Sequence, residues 1–139
     1  MYAHGEPVHG ELHSTDAHAG VQIPIYNEGS TTARTLGADE YLEIHEISVF
    51  STPGGDTIVA FAATNPGASP TAGAVVVRGT LAANGSIQLA HVHCVGLLAA
   101  LPWLTTPAGA ADCIFKGTIR SGTASNARPK WMESLTPGV

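Results

Sequence analysis

Charge is scarce in this sequence: Asp, Glu, Lys and Arg make up 12 % of its 139 residues. Six Lys and Arg stand against eleven Asp and Glu, for a net charge of −5, and no basic run occurs anywhere. A surface made for phosphate backbones or anionic lipid needs the opposite balance, which argues against direct nucleic-acid or membrane binding. Cysteine is nearly missing too. Cys94 and Cys113 fit no CxxC pattern and read as buried free thiols rather than a disulfide framework, so they say nothing about compartment. Long apolar runs are also lacking. The longest, Cys94 to Leu104, has 11 residues, well short of the ~20 that a membrane-spanning helix needs. The N-terminus has neither the basic nor the apolar region of a signal peptide, so the chain is expected to be made in the cytoplasm.

The chain does contain 16 Gly, 9 Pro and many Ala and Thr, a composition for short strands and frequent turns rather than amphipathic helices. Its length is that of one domain, able to bury roughly two thirds of its unfolded surface without a metal or disulfide staple. The organising stretch is Glu40 to Ala63, EYLEIHEISVF-STPGGD-TIVAFAA, two β-branched and aromatic runs joined by Pro53-Gly54-Gly55-Asp56. It reads as a β-hairpin. Leu42 and Ile44 share one parity and Ile47 and Val49 the other, so the buried face changes near His45 and Glu46, as a bulge or a sheet-changing bend requires. Thr57 to Ala63 is apolar on both parities. It is therefore expected to lie centrally, covered on both faces.

Residues 1–20 hold Gly, His and acidic side chains with hardly an apolar group, and read as an extended N-terminal arm preceding a β-sandwich domain of residues 21–139. Val21 to Tyr26 is interrupted by Pro24, which confines it to a sheet edge, and Asn27 to Thr32 is a loop. Asn65 to Gly73 is an uncharged polar loop with its tip toward solvent or a neighbour. Gly73 to Leu81 alternates, Asn84-Gly85 is a strong hairpin signal, and the return strand is Ser86 to about His93. Val95 to Leu104 fits either one helical turn or a buried loop, since Pro102 stops a longer helix. In Asp112 to Arg120, Cys113, Phe115 and Ile119 face inward, and the tail from Ser121 is irregular. About seven short strands make an all-β single-domain β-sandwich or jelly roll with an extended arm.

The sharpest chemical pattern is Gly85-x5-His91-x-His93, the first half of a cupin metal motif, which places two His on one strand face. The motif then needs a Glu and a second block with Pro, Gly, His and Asn. Cys94 to Ala111 contains no acidic residue, so the metal site is incomplete, no cofactor is expected, and His91 and His93 read as packed or subunit-seam histidines that continue the parity of Ile87 and Leu89. His4, His9, His13 and His18 are loosely spaced and read as solvated or docking groups. Cys94 beside His93 is no nucleophile-base pair, because adjacent strand residues point to opposite faces. No GxSxG, Walker or GxGxxG pattern occurs either, so no catalytic residue is assigned and no enzyme is expected. Tyr2, Val8 and Leu12 in the arm, with Trp103 and Trp131, are candidate partner contacts, a core or flap role being equally open for the tryptophans.

At ARTLGADEYLEIHEISVFSTPGGDTIVAFAA, then GAVVVRGTLAANGSI and finally CIFKGTIRSG, the chain resembles the small head decoration (cement) proteins of tailed bacteriophages over roughly Ala33 to Gly122. The likeness is one of strand order and turn style. It implies a jelly-roll-like subunit that forms a homotrimer on the outside of a phage head and clamps the major capsid protein. Avidity from three subunits engaging together would supply the strength, and the uncharged run Val95 to Leu104 is expected to pack at the trimer seam. The alternatives are another virion β domain, in a tail or fibre, and a small cupin-like metal-dependent enzyme.

Overall fold

The computed structural model describes residues 5–14, 19–67, 70 and 72–122. In chain order the strands are β1 (Glu6–Ser14), β2 (Ala19–Gln22), β3 (Ile25–Asn27), β4 (Glu40–Ser51), β5 (Gly55–Ala62), β6 (Val75–Leu81), β7 (Gly85–Leu89), β8 (Cys94–Val95), β9 (Leu101–Thr105) and β10 (Ala111–Ser121), with one 3-10 turn at Ala72–Ala74. They form two antiparallel sheets, β3-β1-β10-β4-β7 with β8 continuing along β4, and β2-β9-β5-β6. The pairing is nested: β5 with β6, β4 with β7, β2 with β9, β1 with β10. That is a jelly roll of eight strands, with β3 and β8 as short additions.

Both expected hairpins are corrected by this winding. β4 and β5 do not pair with each other, nor do β6 and β7: each turn carries the chain across from one sheet to the other. The turns permit a tight reversal, but the core shared by both sheets decides where it leads, and the bonds at the turns hold the crossing in place. Ser51 Oγ accepts the Gly54 N–H at 3.1 Å, and Gly54 and Gly55 take φ of 72° and 86°, which swings the chain over the edge of the core. The second crossing stacks on the first. Asn84 N–H donates to Thr52 O at 3.0 Å, and a Cβ on Gly54 would meet the backbone of Ala82 at 2.6 Å. The third crossing, between β9 and β10, joins the stack where Thr52 N–H donates to Ala110 O at 2.9 Å.

Inward side chains from both sheets fill the space between them, among them the fully buried Phe115, Ile47, Leu104 and Ile119. The bulge read from the parity change is present: Lys116 opposes Glu46 but Gly117 opposes Ile44, so His45 is the extra residue. β5 lies between β9 and β6 and is buried on both faces, and Cys113, Phe115 and Ile119 point inward from β10. Pro24 ends β2, and β2 and β3 each form the edge of a sheet.

Two expectations fail in instructive ways. Residues 6–14 are not an arm outside a domain that begins at residue 21: β1 is an interior strand, hydrogen-bonded to β10 on one side and β3 on the other. Its inward positions are Val8, Gly10 and Leu12, so Val8 and Leu12 are core residues at 1 % and 9 % exposure rather than partner contacts. Gly10 belongs there because the Phe115 ring occupies the space a Cβ would take. Val95 to Leu104 is not a helical turn. It reverses at Ala99 (φ 59°) and enters β9, an interior strand that buries Pro102 and Leu104 and leaves Leu97 as the strongly exposed member.

Candidate functional site

Along β1, β10, β4 and β7 every second side chain points away from the core, and the register aligns them in rows. His13, Asp112, Phe50 and Ser86 form one row. Glu11, Ile114, Ser48 and Gln88 form the next, and His9, Lys116 and Glu46 the third. Phe50 and Ile114 are diagonal neighbours at 39 % and 45 % exposure, two of the three exposed large apolar side chains among the described residues. Neutral Ser48, Ser86 and Gln88 adjoin them on the β4 and β7 side, while Asp112 stands directly opposite Phe50 and Glu11 directly opposite Ile114. His13 Nδ1 lies 3.0 Å from Asp112 Oδ1, and this hydrogen bond, helped by the charge of Glu11, raises the imidazole pKa above 6.5. His9 stacks on Tyr26 with ring centroids 5.4 Å apart.

Beyond the third row the bulge gathers a polar cluster. Glu43 points outward from β4 yet is only 3 % exposed. Arg120 Nε donates to its Oε2 at 3.0 Å, which gives the buried carboxylate its counter-charge. Its Oε1 lies 4.0 Å from His45 Nε2 and 3.9 Å from His93 Nε2. The two imidazoles sit with centroids 5.9 Å apart, and His45 Nε2 shares a hydrogen bond with Thr118 Oγ1 at 3.0 Å. The bulge explains the convergence, since the extra residue turns His45 over Glu43. On the other side of β4 the chain bends at 90–93, where Val92 N–H donates to His45 O at 2.9 Å.

That bend also corrects the parity expected of His91 and His93. Ile87 and Leu89 pack inward, but after Leu89 it is Val92 that packs against the core, leaving both histidines on the outside. His91, His93 and His45 line one shallow, open depression with Lys116 and Glu46. Among the described residues no group of three or more His, Cys, Asp and Glu side chains is placed to hold a metal ion. Cys94 is half-buried with its thiol near Val76 O, and Cys113 is fully buried, with burial pushing its pKa up to about 12. Trp103 is half-buried, its Nε1–H donating to Ala62 O at 2.9 Å. Tyr2, His4, His18 and Trp131 lie outside the described residues.

On the opposite face of the sandwich the middle of β5 is covered. Ile58 and Ala60 alternate with the inward Val59 and Phe61 and so point outward from β5, yet they are 2 % and 1 % exposed. The 63–67 loop folds back on this side, Gly67 O accepting from Thr105 Oγ1 at 3.0 Å and Asn65 Nδ2 donating to Gly20 O at 2.7 Å. Sequence reasoning missed Glu43, Thr118 and Arg120 in the polar cluster and Phe50 and Ile114 on the open face. The usable signal was the parity break at His45 and Glu46, which marks where a bulge re-aims a side chain. No family model fits the chain, and neither a curated protein nor a solved structure is similar to it.

Proposed function

We propose that this protein is a structural component of a virion, a decoration protein that binds the outside of a phage head as a homotrimer and stabilises it, rather than an enzyme. The observation that carries this reading is the jelly-roll winding, the architecture implied by the resemblance to cement proteins and one shared by viral capsid domains. Fold alone assigns no activity. Two features of the molecule support a binding role: a core filled by side chains from both sheets, and an exposed apolar pair on one sheet face while the outward apolar residues in the middle of β5 on the other are buried. In β9 Pro102 and Leu104 are spent inside the subunit, which leaves the half-buried Leu101 and Trp103 as the apolar side chains this strand could offer to a trimer contact.

The test is particle-based. Heads assembled in host cells lacking the gene for this chain should take up purified protein in a fixed ratio to the major capsid protein and become more resistant to heat. The free protein should sediment as a trimer. Failure of the heads to take it up would reject the decoration role, and recovery of the protein in purified tails instead would move it to a tail or fibre.

A further inference from the structure

We infer that the open face of the six-stranded sheet, centred on Phe50 and Ile114, is the surface that docks the partner, and that the partner presents an apolar side chain ringed by basic groups. This rests on the decoration reading for the identity of the partner, and on the geometry of the face for its chemistry.

A sheet face that is complete in itself carries polar side chains toward water. Here an aromatic and a β-branched residue sit diagonally in its middle, and the neighbours on β4 and β7 are Ser48, Ser86 and Gln88, which cost less to desolvate than charged groups. Charge is held to one side of the pair, where Asp112 stands opposite Phe50 and Glu11 opposite Ile114. An apolar centre within a polar rim is the anatomy of a protein-binding patch, and a buried aromatic is the residue type that most often anchors one. The rim has a sign: Glu11, Glu46 and Asp112 face outward against Lys116 and His13, whose imidazole pairs with Asp112 and Glu11. Two copies meeting through this face would set carboxylate against carboxylate, whereas a basic rim on the partner would be drawn to it. The two sheets differ in the same sense. The outward apolar residues of the smaller sheet, Ile58 and Ala60, are already buried by the molecule itself, and those of the larger sheet are not.

The experiment compares the wild type with Phe50→Ser/Ile114→Ser and with Glu11→Lys/Glu46→Lys for retention on heads assembled without this protein, at two salt concentrations. Circular dichroism and melting temperature check that each variant is folded, which the exposure of all four side chains favours. The wild type should be retained, the double serine variant at least tenfold more weakly, and the charge-reversed variant weakly with little response to salt. Equal retention of wild type and double serine variant would overturn the face while leaving the decoration role standing. No retention of the wild type would reject the decoration role and, with it, the partner assigned here. Loss of the free oligomer in the double serine variant would make the occupant a second copy and overturn the hetero-partner.

Discussion

Gly117 in β10 shows how tightly the bulge is built. A Cβ at this position would collide with the carbonyl oxygen of Glu43, a backbone atom fixed by two ladders. Gly117→Ala should therefore destabilise the protein by about 2–3 kcal/mol, the upper range for overpacking. Gly73→Ala, where a Cβ meets nothing within 4 Å, should be close to neutral. Urea melts of the two variants make the comparison, and equal midpoints would show that the bulge relaxes freely. A second residue-level test is electrostatic. Arg34 bridges Glu6 at 2.9 Å and Glu40 at 2.8 Å, and Glu40 also accepts the Gly37 N–H at 2.8 Å. These bonds, that from Arg34 foremost, lower the Glu40 pKa below 4.5. A carboxylate with a lowered folded pKa adds stability that is present above its unfolded value and lost as pH falls through the folded one. Melting temperature should accordingly fall between pH 5 and 3 in the wild type and less steeply in Glu40→Gln, and parallel curves would remove Glu40 from the account.

Parity in a strand tells which face is buried but not which strand lies alongside, and that limit explains what was legible in the elements. The bulge at His45, the interior position of β5, the inward residues of β10 and the edge role of Pro24 could all be read locally, because each follows from alternation or from a missing N–H. The turns at Gly54 and at Asn84-Gly85 looked like hairpins because their residues permit tight reversal. Whether such a turn pairs its flanking strands or sends them to opposite sheets is decided by the core they share. β1 was missed for a related reason. Val8, Gly10 and Leu12 alternate with His9, Glu11 and His13, but a glycine holds the middle inward position, and only the remote Phe115 explains it. Of the polar cluster only the parity break at His45 was legible, because Glu43, His93 and Arg120 meet from three separate stretches of the chain. A chain starting at Val21 should therefore fail to fold. Burial of Val8 and Leu12 stabilises by about 1.5–3 kcal/mol each, and removing β1 also strips the ladders of β3 and β10. Far-ultraviolet circular dichroism without a cooperative melt is the expected outcome. A sharp transition like that of the full chain would show that β1 can be spared.

Nested pairing gives the whole molecule an order in which its contacts become affordable. β5 and β6 are joined by a dozen residues, β4 and β7 enclose them, and β1 reaches β10 only after nearly the whole chain has been drawn in. Loop-closure entropy rises with the length enclosed, so the innermost pairs cost least to form and the outermost gain from a core already assembled. The transition state should then contain β4 to β7 and lack β1. Val59 in β5 and Val8 in β1 are comparable probes, both valine and both at most 1 % exposed. Truncating either to alanine costs enough stability for a reliable ratio of activation to equilibrium effects. Val59→Ala should slow refolding and leave unfolding nearly unchanged, while Val8→Ala should refold at the wild-type rate and unfold faster. Stopped-flow refolding and unfolding from urea measure both limbs. If Val8→Ala is the variant that refolds slowly, the outer pair forms early, and folding begins with the two ends of the chain finding each other rather than with the inner strands.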